Sequence, residues 1–262
     1  MPSQKASKRR RQATQTPPPV RSGKAAGAGR PSPRVLIIAG VVVVVVVVAI
    51  VLGVVLTGGS NSSSNTSAAT LPNSDSVQQL LGGIPQSGNV LGKPSAPITM
   101  IEYIDLQCPY CRQFETEALP TLIKRYVRPG KLKVESRVIA ILGPDSQRGR
   151  QAAIAAGKQN KMFNFQQILY DNQGTENTGW LNDSMIKSAA TSVPGLNVSQ
   201  LLSEQNSSAV SDKLQTIDGQ AKAAGINSTP TIYLVRQGGT PKLIQLTAPN
   251  DPSAIESAIA TS

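Results

Sequence analysis

The stretch Ile98-Thr99-Met100-Ile101-Glu102-Tyr103-Ile104-Asp105-Leu106-Gln107-Cys108-Pro109-Tyr110-Cys111 decides the fold of this chain. Its first eight residues read as a strand. Met100 and Ile104 fall on one face, Ile101 and Tyr103 on the other, so both faces are largely apolar. Successive strand side chains point to opposite sides, and apolarity on both marks a strand covered on both faces. A helical pattern runs from Pro109 to about Val127 and is stopped by Pro129-Gly130. Pro120 lies inside it and is expected to kink it. A second strand is predicted over Val134 to Leu142. This β-α-β order implies a parallel pair joined by a crossover helix.

Working toward the C-terminus, residues of about 145–225 have helical composition. Ala152, Ala153, Ala155 and Ala156 favour helix, and Gly157 is a candidate stop. Further helical pieces are predicted at Phe163–Tyr170, Met185–Ala190, Val198–Glu204 and Val210–Ala224. Phe163, Phe165 and Trp180 read first as core in this region. Strand character returns at Thr231 to Val235, and a turn at Gln237 to Thr240 joins it to Lys242–Leu246 as a hairpin. A last helix is expected from Pro252, capped by Asp251, with Ile255, Ala258 and Ile259 on its buried stripe. The whole order is β-α-β, a helical insert, then β-β-α, an α/β fold without internal repeats.

The cysteines carry the chemistry. There are two, Cys108 and Cys111, and no histidine. Without histidine, Ser-His-Asp and Cys-His nucleophile systems are excluded, as is any metal site that needs an imidazole. Pro109 suits the first helical position, which puts Cys108 at the helix N-terminus. Unpaired amide N–H groups and the positive end of the helix dipole favour a thiolate there. Cys111 lies three residues on, on the same helical face, within reach of a disulfide. A purely structural disulfide would close a very small loop and constrain little of the unfolded chain. Zinc needs four ligands, which only a dimer pooling both pairs could supply. Buried inert thiols fit poorly at a strand-to-helix junction, which is an exposed edge. The placement favours a redox pair.

Upstream, Val35 to Leu56 is a run of 22 residues without a charged or polar side chain, including eight valines, Val41 to Val48. At ~1.5 Å per residue it spans about 33 Å, matching a hydrocarbon core of ~30 Å. A cleaved signal has a shorter apolar core and a small-x-small cleavage site, whereas this run leads into Thr57-Gly58-Gly59-Ser60. An uncleaved single-pass transmembrane anchor is expected. Residues 1–34 hold nine of the 26 basic residues and no acidic one, leaving 17 basic against 15 acidic residues in the rest. Such a tail stays cytoplasmic and puts everything after Leu56 outside. The tail is too polar to bury a core and is expected to be disordered; contact with anionic lipid is a lesser reading of its charge. The near-neutral remainder gives no sign of a nucleic-acid surface. Residues 57–76 read as a flexible Gly/Ser/Asn/Thr linker with a reach of about 25 Å. The Asn-x-Ser patterns at Asn61 and Asn65 within it read as chance. The folded body, 77–262, starts near Val77.

The segment from Gly92-Lys93-Pro94-Ser95-Ala96-Pro97 through Cys108-Pro109-Tyr110-Cys111 resembles the opening of the catalytic domain of DsbA-like disulfide oxidoreductases. The membrane-tethered type of Gram-positive bacteria is the nearest. With Ser228-Thr229-Pro230 as a second motif, the resemblance covers roughly residues 77–260. It implies a thioredoxin-like fold interrupted by an α-helical insert, which suits the long helical region. It also implies that Thr229-Pro230 is a cis peptide facing the cysteine pair; on the residues alone, a trans proline opening an edge strand stands beside it. Glu102 shares a strand face with Met100 and Ile104 and is expected to be desolvated. The resemblance places a buried acid there, which would relay protons to Cys111. The alternative is a strand-end carboxylate paired with a lysine.

The function expected is an extracytoplasmic thiol–disulfide oxidoreductase that introduces disulfides into exported proteins. It would use no cofactor and no metal, and a membrane-bound partner would reoxidise it. A reductase or isomerase of particular exported proteins uses the same chemistry. A tethered binding or chaperone module with incidental cysteines is the non-enzymatic alternative.

Overall fold

The computed structural model describes residues 70–261. The basic tail 1–34, the expected membrane span Val35–Leu56 and the linker as far as residue 69 lie outside the described residues. Among the described residues no helix is long and apolar enough to cross a membrane.

The strand of the opening motif is β3, Ile98–Ile104, after two short strands, β1 at Gln86–Ser87 and β2 at Val90–Leu91. It is central. β3 pairs in parallel with β4, Leu132–Val138, and antiparallel with β5, Thr231–Arg236. The six-stranded sheet runs β1-β2-β4-β3-β5-β6, with β6 at Lys242–Ile244 on one edge. Six of the seven residues of β3 are buried, and Thr99 is half-buried, as two-sided apolarity requires.

The crossover helix α2 begins at Pro109 and comes in four segments: α-helical Pro109–Gln113, π-helical Phe114–Ala118, α-helical Leu119–Leu122 and π-helical Ile123–Val127. Pro120 donates no N–H to the helical ladder, and a widened i→i+5 turn lies on each side of it. Strand β4 ends at Val138, four residues short of the Leu142 expected. Beyond it the amide of Ile139 still bonds the Ile104 carbonyl, and those of Ile141 and Leu142 turn to the Asp105 carboxylate. A side chain on the neighbouring strand end thus draws the chain out of the sheet.

Five helices lie between β4 and β5: α3 Pro144–Lys158, α4 Met162–Asp171, α5 Asp183–Thr191, α6 Val198–Glu204 and α7 Ser208–Ala223. Phe163 and Phe165 are buried in α4, and Trp180 is half-buried against Gly174. Fully burying a side chain of this size contributes about 1.5–3 kcal/mol. Helix α3 packs closely against the segment that follows β3, at Leu106. A methyl group at Gly149 would overlap the side chain of Leu181 and press on that of Leu106, so a larger residue there would force these leucines to shift. The last helix, α8, spans Ser253–Ala260 and buries Ile255 and Ile259, with Asp251 accepting the Ser253 amide.

The folded body reaches back beyond Val77. Helix α1 spans Ser74–Leu81 and buries Val77 and Leu81, and the Leu71 amide donates to Ser192 Oγ at 2.8 Å. The expected linker composition therefore continues into ordered structure at residues 71–76. Neither α1 nor the β1–β2 hairpin is apparent from sequence, because strands of two residues show no alternation and α1 adjoins a Ser/Asn-rich stretch.

Candidate active site

Cys108 and Cys111 are free thiols at the N-terminal end of α2, 4% and 0% exposed. Cys108 is the N-cap in extended conformation, and Pro109 takes the first helical turn. The Cys108 sulfur accepts the Cys111 amide at 3.4 Å, and Arg112 N–H donates to the Cys108 carbonyl at 3.0 Å. Tyr110 projects outward and is 59% exposed.

Thr229-Pro230 is a cis peptide, and it faces the pair. The Thr229 carbonyl oxygen lies 3.3 Å from Cys108 Sγ, a contact that the thiol donates and the thiolate lacks. Beside it a shallow groove of about 280 Å³ is lined by Tyr110, Thr229, Pro230 and Leu246–Pro249.

Their surroundings shift the two thiols in opposite directions. A hydrogen bond from the Cys111 thiol is the largest influence on Cys108. With the Thr229 hydroxyl and the Cys111 and Tyr110 amides it outweighs burial and lowers Cys108 to about 6. The sequence points to amide dipoles as the cause; in the folded site they are a minor share and the partner thiol leads. Cys111 moves the opposite way, pushed well up by burial and then by Cys108.

Several side chains that the motif does not announce hold this junction. Asp105 is fully buried and its carboxylate accepts four donors. Oδ1 takes Gln107 N–H at 2.9 Å and Ser146 Oγ at 2.6 Å; Oδ2 takes the Ile141 and Leu142 amides at 2.9 and 3.1 Å. From the helical insert, Tyr170 donates to the Asp105 carbonyl at 3.0 Å, and Gln173 to those of Leu106 and Cys108 at 2.9 and 3.2 Å. The strand end that carries Cys108 is therefore stitched to the insert by groups 65 or more residues away in the chain.

Glu102 is fully buried opposite Ser136 and Ile232 on the flanking strands. Among the described residues no lysine or arginine forms an ion pair with it, so the structure does not support a strand-end acid paired with a lysine. Burial is the main cause that raises its carboxyl well above the usual range. A second buried acid, Glu115, lies on α2 four residues past Cys111; burial and then the charge of Glu102 raise it too. The i,i+4 spacing from Cys111 was the available signal for Glu115, but its pairing with Glu102 across the fold left none.

Residues 86–238, more than half of the chain, match the family model described as Thioredoxin, and the chain belongs to that family. A probable disulfide bond formation protein D of Bacillus cereus is 27% identical over 147 residues, 55% of this chain and 68% of that protein. Disulfide bond formation protein D of Bacillus subtilis is 23% identical over 147 residues, 55% of this chain and 66% of that one. The crystal structure of oxidised BdbD from Bacillus subtilis shares the fold with a TM-score of 0.59 at 21% identity, over 68% of this chain and 95% of that one. Within its family the chain is a DsbA-like thiol–disulfide oxidoreductase.

Proposed function

We propose that this oxidoreductase forms disulfides in exported proteins, with Cys108 as the exchanging sulfur and Cys111 as its buried partner. A substrate thiolate attacks Cys108 Sγ of the oxidised pair. The S–S bond breaks, its electron pair passes to Cys111 Sγ, and Cys111 takes up a proton. A second substrate thiolate then attacks the substrate sulfur of the mixed disulfide and expels Cys108 as a thiolate. Two electrons have moved from substrate to enzyme, and a membrane-bound acceptor removes them.

The observation that carries this reading is the opposite displacement of the two sulfurs: Cys108 down to about 6, Cys111 far up. A stabilised Cys108 thiolate favours the reduced enzyme, which makes the disulfide form a good oxidant. Cys111, buried and hard to ionise, attacks the mixed disulfide poorly, so the substrate has time to complete its own bond. Pro109 and Tyr110 shape the exposed lip, and Thr229 and Pro230 face the incoming peptide. Glu102 supplies the proton that Cys111 takes. The apolar run Val35–Leu56 behind a basic tail supports a membrane anchor with the catalytic domain outside.

The test is the equilibrium potential of the 108/111 couple, measured with the Cys108 titration and the refolding of a reduced multi-disulfide protein. A Cys108→Ala variant is the control. Oxidase function predicts a potential well above thioredoxin's, about −270 mV, and refolding that the control abolishes. A potential at the thioredoxin level would instead make the protein a reductase. Full activity of the control would leave a binding module.

A further inference from the structure

The folded body is close to neutral as a whole, yet its charge is unevenly placed. Strands β3 and β4 are parallel and β5 runs against them. The starts of β3 and β4, the end of β5 and the C-terminal end of α2 therefore meet at one end of the domain, opposite the cysteines. Lys93 lies there ahead of β3, Lys124 and Arg128 at the close of α2, Lys131 and Lys133 at the opening of β4, and Arg236 at the end of β5. Lys133 is half-buried and the other five are exposed. Among the described residues none of the six forms an ion pair. Arg125 beside them pairs with Glu256 of α8 at 2.9 Å and adds no net charge. Taking these seven bases and Glu256 from the 17 basic and 15 acidic residues after the tail leaves ten basic against fourteen acidic elsewhere. The domain thus has one basic end and an acidic remainder.

Local contacts hold this end together. The stem of Lys93 lies against Gly130, where an added Cβ would meet it at 2.7 Å. Lys133 Nζ donates to the Pro94 carbonyl at 3.0 Å, and Gln237 N–H to that of Pro97 at 3.0 Å. A recess of about 340 Å³ opens among Pro94, Pro97, Thr99, Lys133 and Gln237. Helix α1 runs from the insert, where the Leu71 amide meets Ser192, to the basic end, where Arg128 bonds the Leu80 and Gly82 carbonyls at 2.7 and 3.0 Å. The negative end of a helix dipole accounts for Lys124 and Arg128. It does not account for Lys93, Lys131, Lys133 and Arg236, which lie on strands and loops. Like charges gathered in this way repel one another, and an anionic surface relieves that repulsion.

We propose that this basic end rests on the anionic lipid headgroups of the membrane that holds the anchor, and so points Cys108 and Cys111 away from the bilayer. This rests on the membrane anchor proposed above. Residues 57–69, at the reach of a Gly/Ser linker, span about 20 Å, and α1 covers about 12 Å more toward Arg128. The tether is therefore long enough to let the basic end lie on the surface. Each Lys or Arg near such a surface strengthens association by about fivefold. The acidic remainder is repelled by the same headgroups, which fixes the end that faces down. Helix α2 runs from Pro109 to Val127, about 28 Å at 1.5 Å per residue. The thiols then stand about that far above the headgroups, open to exported proteins. Handing electrons to an acceptor within the bilayer requires this contact to release.

Amine-reactive footprinting of the full chain in vesicles, read lysine by lysine by mass spectrometry, tests the contact. Vesicles of mixed phosphatidylglycerol and phosphatidylcholine are compared with phosphatidylcholine alone. In the anionic vesicles Lys93, Lys124 and Lys131 should react about fivefold more slowly, while Lys187 on α5 and Lys222 on α7 keep their rates. Salt at 1 M, where screening acts within ~3 Å, should remove the protection. Lys131→Gln combined with Arg236→Gln should weaken it at Lys93 and Lys124. The lipid and salt comparisons use the unaltered chain and do not depend on the folding of that variant. Equal reactivity in the two lipids overturns the proposal, and so does equal protection of Lys187 and Lys222, which would mean that no end is preferred. Flotation with phosphatidylcholine vesicles at 1 M salt reports separately on the anchor. A chain that fails to float there refutes the anchor alone. Salt-sensitive flotation with phosphatidylglycerol vesicles then supports the basic end, and its absence overturns that too.

Discussion

The sulfur of Cys108 lies 3.3 Å from the carbonyl oxygen of Thr229, 121 residues further along the chain. The cis Thr229-Pro230 peptide thus completes a site that the cysteine motif begins. The Thr229 hydroxyl also helps to lower Cys108. Replacing Thr229 by Val removes that donor while keeping the shape. The Cys108 titration, followed by thiolate absorbance, should move up from about 6 by a fraction of a unit to one unit. An unmoved midpoint would assign the whole effect to Cys111 and the helix amides.

The depressed Cys108 thiol ties stability to pH. A group whose folded pKa lies below its unfolded value adds stability above the unfolded pKa and loses it as pH falls through the folded one. Relative to the disulfide form, the reduced protein should therefore gain resistance to denaturant as pH rises from about 6 toward 9. The disulfide form, with no thiol to titrate, should show no such gain from this group. Denaturant unfolding of both forms across that window measures the difference.

Glu102 works in the other direction. Its folded pKa is raised to about 8 by burial, from about 4.5 in the unfolded chain. Ionising it inside the fold is unfavourable, so the cost is absent below the unfolded value and grows as pH rises through the window to about 8. Glu102→Gln should leave thermal stability near wild type at acidic pH. Toward pH 8 it should raise stability by about 1–3 kcal/mol, and slow exchange at the same time. Equal melting temperatures across the window would mean that Glu102 is not held protonated.

Asp105 is the knot between strand and insert. Asn there keeps one acceptor oxygen and turns an amide donor toward groups that are themselves donors. Asp105→Asn should lose about 2–4 kcal/mol of stability. The amides of Ile141 and Leu142, which bond its Oδ2, should exchange with solvent faster. Calorimetry and hydrogen exchange test the two parts separately.

What could be read from sequence was local. The strand before the motif, the helix that Pro109 opens and the Cys-x-x-Cys spacing all rest on neighbours a few residues apart. Alternation placed Glu102 inward for the same reason, and the helical stretch of about 145–225 followed from composition. The elements missed, α1 and the β1–β2 hairpin, are too short or too polar to carry a period.

By itself, then, the sequence determined a two-sided central strand, a thiol pair at a helix start and an α/β order with a helical region inside it. Only the tertiary structure decided what surrounds those thiols. It brought the Thr229 carbonyl to Cys108, joined Asp105 to the loop after β4, and enclosed Glu102 with Glu115 beneath Gln167. The reason is physical: a strand or helix signal repeats every few residues, whereas desolvation and a hydrogen bond depend on which distant groups the fold brings within 3–4 Å. That is also why the main influence on the Cys108 thiol is its partner sulfur, a contact that requires the folded turn.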